Sequence, residues 1–322
     1  MRSRPCWRLV VAALVAAVLA AGCGSGGGGG ARPTAAAGPT GAQSQPVVGT
    51  PPDSGSSRVT GGRYVAMGSS FAAGPGIGRD IGAGCGRSAR NYPHLVAQRL
   101  GFALTDVTCS GATTTNLLTT PQRGHPPQVD AVTPDTRLVT ITVGGNDLGY
   151  SAATAECAGA TAAGRSCAAL LPSPAATAAA AVRLRGNLTR LLRAIDTAAP
   201  GVLVYLVSYP RIFPDPPVTC PDNVISTADT RTLAGMGGTL EQTLRQVATE
   251  RGIPLVDAYA ASAGRDVCAA ANVRWVEGSH TSGVHYHPNA DGMAAVSRLI
   301  ENALAGAGRI EHRTPQATAT RG

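Results

Sequence analysis

The chain of 322 residues contains no lysine, and charged residues make up only 14% of the sequence. All 27 basic residues are therefore arginines, and they are scattered along the chain without a long run. Aromatic residues, at 4%, are too few to alternate with basic side chains along a nucleic-acid surface. Although the formal net charge is +8, this pattern argues against nucleic-acid binding, which uses a concentrated basic patch.

Several signatures of other protein classes are also missing. The chain has no Gly-x-Ser-x-Gly motif, which argues against the nucleophile turn of the α/β-hydrolase fold. The glycines of residues 74–86 are spaced too irregularly for a dinucleotide-binding or phosphate-binding loop. There is no Cys-x-x-Cys pair, which disfavours a cysteine zinc site. We therefore expect neither a cofactor nor a metal ion.

The first 23 residues have the features of an export signal. Residues 1–8 are basic, and residues 9–21 form an apolar run too short to span a bilayer comfortably. The run ends in Leu-Ala-Ala-Gly-Cys at Cys23, which resembles a bacterial lipobox, although Ala20 stands where leucine is usual. Two alternatives remain open: a lipoprotein anchored through Cys23, or a cleaved and freely secreted protein. Both predict an extracytoplasmic location.

The rest of the chain divides by composition into a tether, one domain and a tail. Residues 24–62 are mostly glycine, proline, serine, threonine and alanine, which predicts a disordered tether with almost nothing to bury. Residues 63–306 alternate short apolar runs with helical stretches and are expected to form a single domain. Residues 307–322 are expected to be a flexible tail.

Six cysteines fall within the predicted domain, an even number in a chain that carries an export signal. Disulfides are therefore the natural interpretation, although six cysteines permit about 15 pairings. Their spacing favours a local Cys157–Cys167 bond. The two further pairs form most simply as Cys85–Cys109 and Cys220–Cys268.

The domain is predicted to be an α/β fold in which crossover helices join parallel strands. Helices are expected through residues 184–195, over about 227–251 and after Pro288, where apolar side chains recur at helical spacing. Proline suits the first turn of that last helix. The strand candidates are residues 64–67, 103–108, 138–143, 202–207 and 254–256.

Small and polar residues follow each of the first three predicted strands. Ser70, Gly111 and Asn146 lie there, in the sequences GSSFAAG, CSGAT and GGND. With a strand order of 2-1-3-4-5, these turns would meet where the strand order reverses, which is where open parallel sheets bind ligands. We predict a nucleophilic Ser70 and an oxyanion hole formed by the main-chain N–H groups of Ser70 and Gly111 and the Asn146 amide. His287, just before the last helix, is the candidate general base.

These four residues, in this order, resemble the nucleophile, oxyanion and base motifs of the GDSL-like, or SGNH, hydrolase family. The resemblance covers roughly residues 64–305, and the CSGAT sequence and six cysteines resemble its secreted actinobacterial esterase and lipase branch. It implies a flavodoxin-like, three-layer α/β/α fold with a five-stranded parallel sheet. It also implies metal-free hydrolysis of carboxylic esters on lipids or acetylated compounds. The expected partners are an ester substrate and, if Cys23 is lipidated, the membrane, and we expect a monomer.

Two positions depart from the pattern of that family. Ser69 stands in place of an aspartate beside the nucleophile, which is not itself catalytic in the family. Val284 stands three residues before His287, where the family usually has the aspartate that orients the imidazole. Some members use a main-chain carbonyl instead, so we expect the Val284 carbonyl to accept the Nδ1–H of His287. Asp257 and Asp266 are alternative carboxylates, but the spacing does not place either of them.

Other interpretations stay open beside this one. His280 and His285, together with His287, could form a metal cluster, although a His-x-His sequence is weak evidence for a zinc site. Asp147 is expected to be structural and to cap the helix that follows it. Among functions, an envelope glycan or glycolipid deacylase or acyltransferase would use the same machinery. A catalytically silent envelope-binding lipoprotein is the alternative from another class.

Overall fold

The computed structural model describes residues 61–307. The predicted signal peptide, the lipidation site Cys23, nearly all of the tether and the tail lie outside these residues. Within the described part, no helix is both long enough and apolar enough to span a bilayer.

Five parallel strands form one sheet in the order β2-β1-β3-β4-β5. The predicted parallel sheet and its strand order are confirmed. Each strand lies within two residues of its predicted bounds. At the end of β2 the Asp106 carboxylate accepts hydrogen bonds from the main-chain N–H (3.0 Å) and hydroxyl (2.7 Å) of Thr108. The strands are β1 (Arg63–Gly68), β2 (Ala103–Asp106), β3 (Thr136–Thr142), β4 (Leu203–Val207) and β5 (Leu255–Val256).

Eight α-helices connect and flank these strands in the described part of the chain, together with short 3-10 helices at Gln128–Ala131 and Ala168–Leu170. Pro288 was expected in the first turn of the last helix, but the helix begins at Ala290, because the Asn289 side chain caps it by accepting the Gly292 N–H at 2.8 Å. The helices are α1 (Ser70–Ala73), α2 (Tyr92–Leu100), α3 (Thr114–Leu118), α4 (Tyr150–Ala162), α5 (Pro174–Ala198), α6 (Thr227–Arg251), α7 (Ala258–Ala261) and α8 (Ala290–Gly306).

The sheet is covered on both faces, which makes three layers. Successive residues of a strand point to opposite faces, and in β1 Tyr64 and Ala66 pack with α2 and α8. Val65 and Met67 face the other way and pack with residues of α3, α4, α5 and α6. All four side chains are fully buried. Burial on both sides explains the continuous apolar runs within β1 and β4.

The three predicted disulfide pairs, Cys85–Cys109, Cys157–Cys167 and Cys220–Cys268, are all present. Cys85–Cys109 ties the loop after α1 to the end of the segment following β2. The Ser110 N–H also donates to the Cys85 carbonyl at 2.9 Å. The residues beside Gly111 are thus held both covalently and by the main chain.

Candidate active site

Ser70 is the first residue of α1, at the carboxyl end of β1. The chain turns there through Gly68, whose φ of +148° favours glycine, and a Cβ at this position would collide with the Thr142 carbonyl oxygen. Gln128 holds the same glycine from the other side. Its side chain accepts the Gly68 N–H at 2.7 Å and donates to the Gly68 carbonyl at 3.0 Å. The turn that carries Ser70 is therefore fixed by both neighbouring segments.

The structure brings Ser70 and His287 together, although 217 residues separate them in the sequence. The distance from Ser70 Oγ to His287 Nε2 is 2.9 Å, which is a hydrogen bond. The turn that carries Ser70 and the segment before α8 reach the same edge of the sheet. This contact is the geometry that a serine nucleophile and its general base need.

The orientation of His287 differs in one detail from the expectation. Its Nδ1–H donates to the carbonyl of His285, at 2.9 Å, and not to the carbonyl of Val284. Tyr286, with a φ of +58°, forms a tight turn between the two histidines. In this turn the Val284 carbonyl accepts the main-chain N–H of His287 at 3.2 Å, which leaves the His285 carbonyl to meet the ring. The kind of acceptor was predicted correctly, but the residue was wrong.

No carboxylate contacts the imidazole among the described residues. Asp257 caps α7 and binds Arg245 at 2.5 Å, and Asp266 accepts the Cys268 N–H at 2.9 Å. Burial lowers the pKa of His287 below its ordinary value, and the hydrogen bond to the His285 carbonyl raises it by less. With Nδ1 protonated and bonded to a carbonyl, the Nε2 lone pair faces the Ser70 hydroxyl. Burial thus favours the neutral form of the ring, with Nε2 able to accept a proton.

The three candidate oxyanion donors lie in the turns after β1, β2 and β3. Within the described residues, neither the Ser70 N–H nor the Gly111 N–H donates to a protein acceptor. Gly111 has a φ of +83°, a conformation that side-chain-bearing residues rarely adopt. Asn146 Nδ2 donates one hydrogen to the Ala112 carbonyl at 2.9 Å. The amide is thereby oriented, and its second hydrogen is left for a ligand.

Asp147 is structural, but it caps a different helix from the one expected. Its carboxylate accepts the Thr114 N–H at 3.0 Å, at the start of α3, and also the Thr114 hydroxyl. Asn187, on α5, donates to the same hydroxyl at 2.8 Å. The following helix, α4, instead starts after Gly149 without a side-chain cap. Asp147 therefore joins the loop of Asn146 to the segment that carries Gly111.

Sequence reasoning missed Tyr209, which lies beside the turn that carries Ser70. Its hydroxyl is 2.8 Å from Ser69 Oγ and accepts the Gly145 N–H at 3.2 Å. Its ring packs on Phe71, with 4.2 Å between centroids, and Phe71 lies 5.2 Å from the His287 ring. The only signal in the sequence was a tyrosine two residues after a predicted strand.

A largely apolar groove of about 670 Å³ leads away from His287. One wall is a face of α4 made of small residues at helical spacing. Phe71 and Val284 line the groove near His287, and Ile212 and Val224 line it from the loop after β4. The α4 residues are Ser151, Thr154, Ala155, Ala158, Gly159 and Ala162.

His280 and His285 do not form a metal-ligand cluster with His287 among the described residues. His280 donates to the Pro221 carbonyl at 2.7 Å, and His285 Nε2 donates to the Thr281 carbonyl at 3.2 Å. Between residues 61 and 307, the one group with metal-ligand spacing is Cys157, Cys167 and Asp229. Those two cysteines are bonded to each other, so their thiolates are not available as ligands.

A three-layer α/β/α fold with a serine and a histidine in contact at the carboxyl edge of its sheet has the architecture of an ester hydrolase. The family of GDSL-like Lipase/Acylhydrolase proteins matches residues 66–295. The chain belongs to this family and is a carboxylic ester hydrolase, as the sequence motifs predicted.

Streptomycete lipases are among the proteins that are similar to this chain. Lipase 2 of Streptomyces coelicolor is 34% identical over 248 residues, which cover 71% of this chain and 81% of that protein. The lipase of Streptomyces rimosus is 30% identical and covers 74% of this chain and 84% of that protein. The crystal structure of phospholipase A1 from Streptomyces albidoflavus superposes with a TM-score of 0.59 at 26% identity, over 75% of this chain and 98% of that one. Similarity to an extracellular lipase structure from Streptomyces rimosus is comparable, with a TM-score of 0.57 at 25% identity and coverage of 75% and 99%.

Proposed function

We propose that the chain is an exported serine esterase or lipase that works through an acyl-enzyme on Ser70, with His287 as general base. The observation that carries the proposal is the 2.9 Å contact between Ser70 Oγ and His287 Nε2. The depressed pKa of His287, caused by burial, supports it because the base must be neutral to accept a proton.

In the first half of the reaction, Ser70 Oγ attacks the ester carbonyl carbon and its proton passes to His287 Nε2. The carbonyl oxygen becomes an oxyanion, which the Ser70 and Gly111 N–H groups and the Asn146 amide bind. Each such donor lowers the barrier by about 3 kcal/mol. The tetrahedral intermediate collapses, the C–O bond to the alcohol breaks, and the alkoxide leaves with the proton from Nε2.

In the second half, water attacks the acyl-enzyme, gives its proton to Nε2 and forms a second oxyanion. The Ser70 oxygen then leaves, recovers the proton from His287 and releases the acid. Throughout, Nδ1–H remains on the His285 carbonyl. This arrangement keeps the ring oriented but supplies no negative charge to stabilise the imidazolium, so we expect a working dyad that is slower than a full triad.

The groove beside His287 suits the acyl group of a lipid. Its α4 wall runs over about three helical turns, roughly 16 Å at 1.5 Å per residue, and its small side chains leave room for a chain of methylenes. Apolar walls with few polar groups favour a hydrocarbon ligand. We therefore place the acyl chain along α4 and the leaving alcohol on the opposite side of Ser70.

The export part of the proposal depends on the sequence and on the disulfides. Residues 1–23 resemble a signal that ends at a lipobox, and three disulfides are typical of proteins that mature outside the cytoplasm. The similar lipase from Streptomyces rimosus is extracellular. We propose that the protein is exported from the cytoplasm. Lipidation of Cys23 would anchor the exported protein to the membrane.

The test is the Ser70→Ala variant, assayed with short p-nitrophenyl esters and with a fluorophosphonate probe. We expect hydrolysis and labelling to disappear while the melting temperature is retained. Ser110→Ala is the matched control, because the Ser110 hydroxyl has no hydrogen-bond partner within the described residues; it should hydrolyse and label normally. Undiminished turnover in Ser70→Ala would refute the mechanism. An unlabelled wild-type protein would favour the silent binding lipoprotein, and acyl transfer to an added alcohol would favour the acyltransferase.

A further inference from the structure

Tyr209 connects two loops that must keep a fixed distance from each other in the proposed reaction. It follows β4 by two residues and is 3% exposed. Its hydroxyl lies 2.8 Å from Ser69 Oγ, in the nucleophile turn, and 3.2 Å from the N–H of Gly145, beside Asn146. A single oxygen atom thus bridges the residue before the nucleophile and the residue before the oxyanion amide.

The direction of these hydrogen bonds follows from their chemistry. The Gly145 N–H can only donate, so the Tyr209 oxygen accepts, and the phenolic hydrogen remains free to be given to Ser69 Oγ. Burial raises the pKa of Tyr209, so the phenol keeps its hydrogen across the working pH range. The Ser69 N–H is itself bonded to the Thr142 carbonyl at 2.9 Å. The hydroxyl therefore adds a side-chain link where the main chain already joins β1 to β3.

The tyrosine ring fits closely against both loops. A Cβ added at Gly145 would lie 2.9 Å from Tyr209 Cε1, closer than real contacts allow, so this glycine is needed for the approach of the ring. The ring also stacks on Phe71, the residue after the nucleophile, at 4.2 Å between centroids. Tyr209 does not line the groove beside His287.

We propose that Tyr209 is a positioning residue, which sets the distance between the Ser70 nucleophile and the Asn146 oxyanion donor without touching the substrate. This inference rests on the proposed function. Because the oxyanion is absent from the bound substrate and forms only as Ser70 attacks, misplacing its donor lowers kcat while ground-state binding is kept. An error of even about 1 Å in such a constellation can cost about a hundredfold in rate.

The experiment compares Tyr209→Phe with Tyr64→Phe. The first change removes one oxygen and keeps the ring on Phe71. The second is a matched control, because it removes a buried tyrosine hydrogen bond of similar length, 2.7 Å to Thr140, in the core on the other face of the sheet. We expect Tyr209→Phe to lower kcat about tenfold or more with KM changed less than about twofold. Tyr64→Phe should lower the melting temperature to a similar extent but keep kcat within about twofold.

A second variant makes the test independent of folding defects at Tyr209. Ser69→Ala removes the other end of the link, and if the two residues act as one unit, the double variant should lose no more kcat than Tyr209→Phe alone. In Tyr209→Phe, the acid limb of the pH profile of kcat/KM should not move, because Tyr209 does not contact the nitrogens of His287. Wild-type kcat in Tyr209→Phe, an equal loss in Tyr64→Phe, or additive losses in the double variant would overturn the proposal. The result expected for Ser70→Ala does not depend on any of these outcomes. Failure of the Tyr209 proposal can therefore be told apart from failure of the proposed function.

Discussion

Replacing Asn146 tests the proposed oxyanion hole directly, because the structure shows how the side-chain amide of Asn146 is oriented. Its Nδ2 donates one hydrogen to the Ala112 carbonyl at 2.9 Å and keeps the other for the substrate. Asn146→Ala removes a donor that should be worth about 3 kcal/mol in the transition state, which corresponds to a loss in kcat of about 10²–10³. KM should change little, because the substrate carbonyl carries no full charge before the attack.

The same change should also affect stability. Ala112 is fully buried, and its carbonyl would lose the Asn146 amide, its hydrogen-bond donor within the described residues, which costs about 1–3 kcal/mol. Asn146→Asp keeps the shape but places a carboxylate against both that carbonyl and the oxyanion. We therefore expect Asn146→Asp to be less active and less stable than Asn146→Ala at neutral pH.

Steady-state kinetics on a short p-nitrophenyl ester, with thermal unfolding on the same samples, separates these effects. Asn223→Ala is the control, since it removes a buried side-chain amide whose Nδ2 donates to the Val218 carbonyl at 3.0 Å, outside the turns that carry Ser70, Gly111 and Asn146. It should lose stability but retain kcat within a few-fold. If Asn146→Ala kept kcat within about tenfold of the wild type, the amide would not be an oxyanion donor and the reasoning would fail.

Two further predictions follow from the base and the groove. Because burial lowers the pKa of His287, kcat/KM should stay high below the ordinary histidine pKa of about 6.5 and then fall about tenfold per pH unit as the ring is protonated; a pH profile with its midpoint above that value would contradict the neutral, buried base. Ala158→Phe should narrow the groove and reduce hydrolysis of decanoate and laurate esters while sparing acetate; Ala152→Phe, on an exposed position of α4 outside the groove, should leave the chain-length profile unchanged.

The sheet could be predicted well from the sequence because a strand buried on both faces is apolar at successive positions. The run Val202 to Val207 is apolar throughout and became β4 with one residue fewer. The meeting of Ser70 with His287 was predictable for a related reason: parallel strands present their carboxyl ends at one edge, whatever the separation in the sequence. Local composition and topology were sufficient there.

Features that depend on the direction of single groups could not be predicted in this way. The acceptor for His287 is the His285 carbonyl and not the Val284 carbonyl, because the left-handed conformation of Tyr286 decides which carbonyl faces the ring. Asp147 binds across to Thr114 instead of capping its own next helix. In both cases the sequence does not distinguish the two possible hydrogen-bond partners. The choice between them depends on backbone torsions or on long-range packing.

The main-chain carbonyl that holds His287 has a consequence for mutational scans of this enzyme. A carbonyl belongs to every residue, so exchanging the side chain at position 285 leaves the hydrogen-bond acceptor in place. An alanine scan would register Ser70 and His287 as essential and overlook their third partner altogether. Its contribution is accessible through backbone chemistry, for example an ester linkage substituted for the amide after His285, which weakens the carbonyl as an acceptor without altering any side chain but also removes the Tyr286 N–H that donates to the Glu277 carbonyl at 2.8 Å.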